Sequence, residues 1–328
     1  MSPVLPDRRR GMTLVELMVV VAIIGILGVV VLPLLASSSE SRKTREAARS
    51  VVSYVARSQN RVLGRAEWGG FAMVPSGTTN YALDLFSADV PQVFQGDDLP
   101  TTVTGSSTLI SGTPVFTITT GSIGGTTVSG TLGDLVRFDG SGPWYAFVSP
   151  TMLTLRGTGS YDVENANQTT LNTPWPTANV AHTYELMRQP IRSGSPLTLA
   201  EGRCVDVAQS GYVGAAGFTS FGNNPGSIAV LFDGTGRLRQ IIVGTTRITP
   251  TGAIFLLVGR ADRAGNAWAT LDPNDDAVGA NWQYGDSYWI GIDPLTGVTK
   301  VAECVTGALN DVVASQSYIR SELLATGR

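Results

Sequence analysis

"RRRGMTLVELMVVVAIIGIL", residues 8–27, sets three arginines in front of an apolar run that holds a single carboxylate, Glu16. From Leu17 to Ala36 no residue is charged. About 20 apolar residues, each rising roughly 1.5 Å, match the ~30 Å hydrocarbon core of a bilayer, so the stretch predicts a membrane helix. A secretory signal cleaved near Leu34–Ser39 is the alternative, but the uncharged stretch is longer than the core of roughly 7 to 15 residues usual in such signals. An ionisable side chain in a span costs roughly 2.5–3.5 kcal/mol at the bilayer centre and calls for a partner. Charge alone leaves the orientation open, because Arg8, Arg9 and Arg10 on one side face Arg42, Lys43, Arg45 and Arg49 on the other.

The whole chain has 328 residues, 43% of them hydrophobic, which is enough for a sizeable core. Its net charge of −3 removes any general electrostatic case for nucleic acid. With 38 glycines, many Thr, Ser and Val residues and only 15% charged residues, the composition points to short strands and tight turns.

Beyond the span, "ESRKTREAARSVVSYVARSQNRVLGR" (40–65) keeps a helical period, with Ala47, Ala48, Val51, Val52, Val55, Val62 and Leu63 on one face. Arg49, Arg57 and Arg61 read as its solvated side. One helix of about 50 residues is therefore expected from Met12 to near Leu63, ended by Gly64 and the Gly69-Gly70 pair, with a kink or local melting at Pro33. From Trp68 onward the pattern changes to strands: "TPVFTITT", "LVRFDG", "WYAFVSP" and "MLTLRGTG" are short β-type runs, and "SIAVLFDGTGRLRQIIVG" reads as a hairpin turned at Asp233-Gly234. The Thr/Gly-rich tract at about 101–133 and "LNTPWPTANV" read as loops, edge decoration or an insertion. The fold class expected is α+β, a long amino-terminal membrane-spanning helix packed on an antiparallel β-sheet body.

The leader ending in Gly11, followed by "MTLVELMVVVAIIGILGVVVLPLL" (12–35), resembles the class III signal of type IV pilins and type II secretion pseudopilins. That signal has glycine before the cut (Gly11), an apolar first mature residue (Met12) and glutamate at the fifth mature position (Glu16). The resemblance implies that prepilin peptidase cuts between Gly11 and Met12 on the cytoplasmic side and methylates the new amine. It divides the chain into a leader (1–11), a transmembrane half-helix (12–36), an amphipathic half-helix (37–66) and a periplasmic body (67–328). It orients the anchor in the bacterial inner membrane with its amino end in the cytoplasm. It supplies the partners as well: the peptidase, other pilin or pseudopilin subunits, the inner-membrane assembly platform and the lipid bilayer. Glu16 then pairs with the terminal amine of a neighbouring subunit beside Thr13, and the stretch from Gly25 to Pro33 unwinds when subunits pack. Two unit charges about 4 Å apart at an effective dielectric near 20 attract by roughly 4 kcal/mol, comparable to the cost of placing one in lipid.

A second resemblance covers "GRCVDVAQSGY", "GSIAVLFDGTGRLRQIIV" and "YWIGIDPLTGVTKVAEC", which follow the strand order of minor pseudopilins of the GspH/FimT type. In the oxidising periplasm that the resemblance implies, Cys204 and Cys304 could bridge, closing a loop of about 100 residues worth roughly 4.7 kcal/mol; two separately buried thiols are the alternative. Asp272, Asn274 and Asp276 alternate as in the first half of a calcium loop, although Ala277 and Gln283 stand where an EF-hand has glycine and glutamate, so a plain acidic turn competes with structural calcium. No other cofactor is implied.

Catalytic motifs are missing from the sequence. The one histidine, His182, reads as a loop residue, and the two lysines, Lys43 and Lys300, form no P-loop. The chain reads as a structural subunit rather than an enzyme. The aromatic run Trp282, Tyr284, Tyr288 and Trp289 reads as sheet packing or as a ligand platform. The alternative function is a minor pilin that captures DNA or another ligand, through Gly236–Arg239 with Arg247 nearby. Without the leader, 20 basic face 25 acidic residues, a net charge of −5, so nucleic acid would need a focused patch. Gly11→Leu is expected to leave the leader attached, and mass spectrometry of the amino terminus reads this; a wild-type protein starting at Met1 would overturn the processing.

Overall fold

Helix α1 (Leu14–Val62) is one uninterrupted element carrying two successive chemistries. The computed structural model describes residues 14–75, 79–95, 102–110, 113–121, 130–155, 177–272, 275, 277–306 and 310–326, without the side chains of 27–39, 107–110, 113, 114, 119–121, 155 and 326. The chain divides into two units, Met1–Lys43 and Thr44–Arg328. The backbone stays helical through Pro33, where the sequence predicts a kink or melting. One missing N–H removes one bond of the ladder, and the turns on either side keep theirs.

In the second unit, Thr44, Ala47, Ala48, Val51, Val55, Ser58 and Val62 are buried while Arg49 and Arg57 are exposed, as the helical period requires. Arg61 departs from the solvated-face reading: its guanidinium pairs with Asp89 at 2.6 Å and donates to the Ser193 hydroxyl. Gly64 ends the helix at φ 76°, and its N–H donates to the Gly234 carbonyl. Gly69 and Gly70 have a different role from the one expected, for they open the first strand. A Cβ on Gly70 would lie 1.9 Å from the Val230 carbonyl oxygen, so close strand approach is what requires glycine here.

The strands follow in chain order. After β1 (Gly69–Pro75) and β2 (Tyr81–Asp89) come β3 (Thr102–Ile110), β4 (Thr113–Gly121), β5 (Leu135–Phe138), β6 (Tyr145–Phe147), β7 (Met152–Leu155) and β8 (His182–Met187). Then follow β9 (Ile191–Thr198), β10 (Arg203–Gly214), β11 (Gly217–Ser220), β12 (Ile228–Phe232), β13 (Leu238–Val243), β14 (Thr246–Ile248), β15 (Ile254–Arg260), β16 (Tyr288–Ile292) and β17 (Thr299–Glu303). Among the described residues they form an 11-stranded sheet, in the order β14-β13-β12-β1-β2-β10-β15-β16-β17 with β11 on β10 and β9 on β2, and a closed barrel, β3-β4-β7-β6-β5-β8. The pairings are antiparallel.

Both faces of the sheet are covered. On one, Ala47, Ala48, Val51 and Val55 of α1 join Phe71, Val230, Leu256, Tyr288 and Ile290 in one apolar cluster. On the other, Phe255, Leu257 and Trp289 meet Ile319 of the carboxyl-terminal helix α3 (Ser317–Thr326), which follows the short α2 (Val312–Ser315). Two-sided cover explains why "IAVLF" and "YWIGI" are continuous apolar runs instead of alternating ones. It also settles the aromatic run: Tyr288 and Trp289 point into opposite clusters, Trp282 is buried, and Tyr284 lies under the Arg263 guanidinium.

The barrel is inserted in one hairpin of the sheet, since the chain leaves at Asp89 and returns at Ile191, its Cα partner. Phe116, Phe138, Tyr145, Phe147, Leu153, Tyr184 and Leu186 fill its interior. Burial pushes the Tyr145 hydroxyl up to about 12. Much of the tract read as loop is therefore strand, because "TVTGSSTLI" and "TPVFTITTG" pair as the β3–β4 hairpin. The rest of that tract, 122–129, lies outside the described residues, as does 171–176 of "LNTPWPTANV".

Two turns separated by about 60 residues meet at the end of α1. Asp233 and Asp293 each accept backbone N–H groups from their own turn through a carboxylate oxygen. Gln59 donates to the Gly236 carbonyl at 2.8 Å and the Thr296 carbonyl at 3.0 Å, clasping both. Gly297 has φ 67°, and a Cβ there would lie 2.1 Å from the Gly236 oxygen. Gln59→Ala is expected to lower the stability of the body by about 1–2 kcal/mol and Gly297→Ala by at least about 2 kcal/mol, read by urea unfolding. Unchanged midpoints would show that the clasp is dispensable.

Candidate assembly segment

The first turns of α1 are apolar on every side. Leu14, Val15, Leu17, Met18, Val21 and Ile24 are all more than half exposed. Such a surface is stable only where something other than water covers it. Among the described residues no helix is long and apolar enough to cross a membrane. The described side chains of this segment stop at Ile26, whereas the uncharged sequence continues to Ala36. Glu16 stands exposed in the first turn of this apolar helix, and the space a side chain would occupy at Gly25 is open. Pro33 is helical in backbone. Gly11, Met12 and Thr13 lie outside the described residues.

Past Lys43 the same helix changes from all-round to one-sided apolarity. Thr44 is buried, Arg45 reaches Glu303 at 3.7 Å, and the stripe from Ala47 to Val62 is taken up by the sheet. One continuous α1 thus carries an uncovered apolar part and a part built into the body, the combination that an anchor or a polymerising stem requires.

The basic patch considered for nucleic acid does not hold together. Arg237 and Arg239 are exposed, with Arg239 4.9 Å over the Trp68 ring. Arg247, however, is buried; it donates to Gln240 at 3.1 Å and to the Arg188 carbonyl at 3.1 Å, joining β14 to the chain leaving the barrel. A cleft of about 370 Å³ opens beside Trp68, lined by Val90, Pro91, Val93 and Met187 as well as Glu67. Its walls are chiefly apolar, and it presents no cluster of cations for a phosphate backbone.

The bridge expected of the cysteines is not formed. Cys204 and Cys304 are free and separately buried. Cys204 lies opposite Gly259 on β10 and β15, whereas Cys304 sits with Ala280 and Trp289 beneath α3. Burial first, then the nearby Asp206, pushes the Cys204 thiol up; burial, Asp286 and Glu303 do the same at Cys304. Of the calcium residues, Asp272 forms a bridge with Asp275, while Asn274 and Asp276 lie outside the described residues. Among the described residues no group of three His, Cys, Asp or Glu side chains could hold a metal ion.

His182 is not in a loop. It opens β8, is buried, and sets Nδ1 2.6 Å from an Asp139 carboxylate oxygen and Nε2 3.0 Å from the Thr177 carbonyl. Neither Asp139 nor Gln59 was singled out by the sequence. Each depends on a contact more than 40 residues away, which no local spacing signals.

Residues 6–32 match the family model described as the prokaryotic N-terminal methylation motif, the class III prepilin signal of type IV pilins and pseudopilins. The motif spans Gly11, Met12, Thr13, Glu16 and Gly25, is that of pilin-type precursors processed by prepilin peptidase, and points to a structural subunit. No curated protein and no solved structure matches the chain.

Thiol labelling is expected to find both cysteines unreactive in the folded protein and both reactive after denaturation without reductant. A denatured, unreduced protein with no labelled thiol would restore the bridge.

Proposed function

We propose that the chain is a pilin-like structural subunit. It is cut between Gly11 and Met12, methylated on the new amine, held in the inner membrane by the first half of α1 with the body in the periplasm, and polymerised through that helix into a type II secretion pseudopilus or a type IV pilus. The observation that carries this reading is the methylation motif at residues 6–32, with glycine, an apolar residue and glutamate at the spacing of the processing signal. The uncovered apolar turns from Leu14 to Ile26 support it, since such a surface is suited to lipid before assembly and to neighbouring helices after it.

In this reading Glu16 draws the amine of the adjoining subunit. The attraction is roughly 4 kcal/mol at 4 Å and an effective dielectric near 20, and it sets register because a displaced neighbour leaves a charge unpaired in lipid. Glu16→Leu is therefore expected to be processed normally and to accumulate in the membrane as a folded subunit absent from filaments. Glu16→Gln separates charge from hydrogen bonding. Crosslinking between Thr13→Cys and Leu17→Cys on adjacent subunits reads the contact, and undiminished crosslinks and filaments in the leucine variant would overturn the role of Glu16.

A further inference from the structure

In the inserted barrel the first residues of β8 are held between β3 and the end of β5. β3 meets β8 through two residue pairs, Thr102 with Thr183 and Val103 with His182. On its other edge β8 pairs with β5 from Met187–Leu135 to Tyr184–Phe138, and beyond the last pair Asp139 prolongs the contact by its backbone N–H, which donates to the Thr183 carbonyl at 2.9 Å, and by its side chain. One oxygen of Asp139 accepts from the Thr183 N–H at 3.0 Å and its hydroxyl at 3.2 Å, and the other faces His182 Nδ1 at 2.6 Å. Asp139 takes a left-handed backbone, φ 52°, which is costly for a residue with a side chain and is maintained where that side chain is needed.

The chemistry of the ring decides the charge state. A neutral imidazole has one donor nitrogen and one acceptor nitrogen. His182 faces an acceptor at each end, the Asp139 carboxylate and the Thr177 carbonyl, so a neutral ring leaves one nitrogen lone pair against an oxygen lone pair. Only the imidazolium satisfies both. We propose that His182 and Asp139 form a protonation-controlled latch that holds the first residues of β8 against the end of β5 while the ring is charged and loosens them when the ring loses its proton.

The surroundings contain little else that would set this titration. Val103 on β3 and Phe138 on β5, whose ring lies 6.1 Å away edge-on, are uncharged. Arg137 and Glu185 stand in register with each other on the neighbouring strands and are paired together, so the charge facing His182 among the described residues is that of Asp139. Burial by itself would lower the His182 pKa, but the Thr177 carbonyl and the Asp139 carboxylate outweigh it and hold the pKa above 6.5. Burial would likewise raise Asp139, yet its bonds to His182 and Thr183 keep it below 3.8. The imidazolium's contribution is accordingly complete below pH 6.5 and lost as pH rises through the raised folded value. The carboxylate's is complete above pH 3.8 and lost as pH falls through the depressed one. The contact between Asp139 and the start of β8 is tightest between these limits.

Because the chain has one histidine, its ring nitrogens can be followed without assignment variants in the intact protein in detergent micelles. Long-range ¹H–¹⁵N spectra are expected to show both nitrogens protonated at pH 6.5 and the titration midpoint above that value. The Thr183 amide, which donates to Asp139, is expected, after correction for intrinsic exchange, to lose up to about tenfold in protection once the ring is neutral. Asp139→Asn is expected to lower the midpoint relative to the wild type, since the carboxylate's upward pull is lost while the Thr177 carbonyl keeps its own, and His182→Gln to abolish the pH dependence of Thr183 exchange. A wild-type ring that is neutral at pH 6.5, or Thr183 protection that stays constant through the ring's titration, would overturn the latch even if neither variant folds.

Discussion

The body's sheet packs against the one-sided apolar stripe of α1 from Ala47 to Val55. A helix apolar on all sides and a helix apolar on one side need different surroundings, and here they belong to one hydrogen-bonded element. The one-sided half requires a surface to cover it, which the sheet supplies through Phe71, Val230 and Ile290. Burying a Val or Phe side chain contributes roughly 1.5–3 kcal/mol, so the stripe from Ala47 to Val62 holds the helix against the sheet through several independent contacts. Gln59 then fixes the end of the helix against two turns, converting greasy contact into a defined register. A helix held in this way stays on the sheet without depending on any single side chain.

Covering one face of so wide a sheet leaves the other exposed, and α2, α3 and the segment around Asn281 answer that need. Asn281 is buried, accepting from the Arg260 N–H and donating to the Arg260 carbonyl and to Asp206. Asp206 shows what that segment costs. Burial raises its pKa to about 6 despite hydrogen bonds from Asn281 and the Gly265 N–H, so near neutrality the fold holds a largely desolvated carboxylate. These bonds fix the loops over the sheet at a defined position, which apolar contact alone would specify less sharply.

The parts legible in the sequence are those governed by short-range periodicity. The helix from residue 14 to 62, the hairpin at Asp233-Gly234 and the strands of β4 to β7 all follow from patterns within about ten residues. The barrel was hidden because Gly, Ser and Thr in "TVTGSSTLI" belong equally to loops and strands, and because its closure joins Val103 to His182 across nearly 80 residues. His182 was misplaced for the same reason: a polar residue after "PTANVA" reads as loop until Asp139 and Thr177 are brought to it. The cysteines illustrate the opposite error. Compartment made a bridge plausible, but the two thiols are free and separately buried, Cys204 opposite Gly259 on β15 and Cys304 among Ala280 and Trp289.

The insertion of the barrel between β2 and β9 has a mechanical consequence. Its two connections leave and re-enter the sheet at paired residues, Asp89 and Ile191, so the insertion leaves the β2–β9 pairing in register. At that junction the chain is held by charge and hydrogen bonding. Arg61 and Ser193 meet on Asp89; Asp134 accepts from Arg188 and from the Gln189 N–H; and the buried Arg247 grips the Arg188 carbonyl. The barrel's interior is an aromatic cluster separate from the one beneath α1. Two cores joined by a polar junction pack around separate centres, the sheet on the helix it roots and the barrel on its own aromatic cluster.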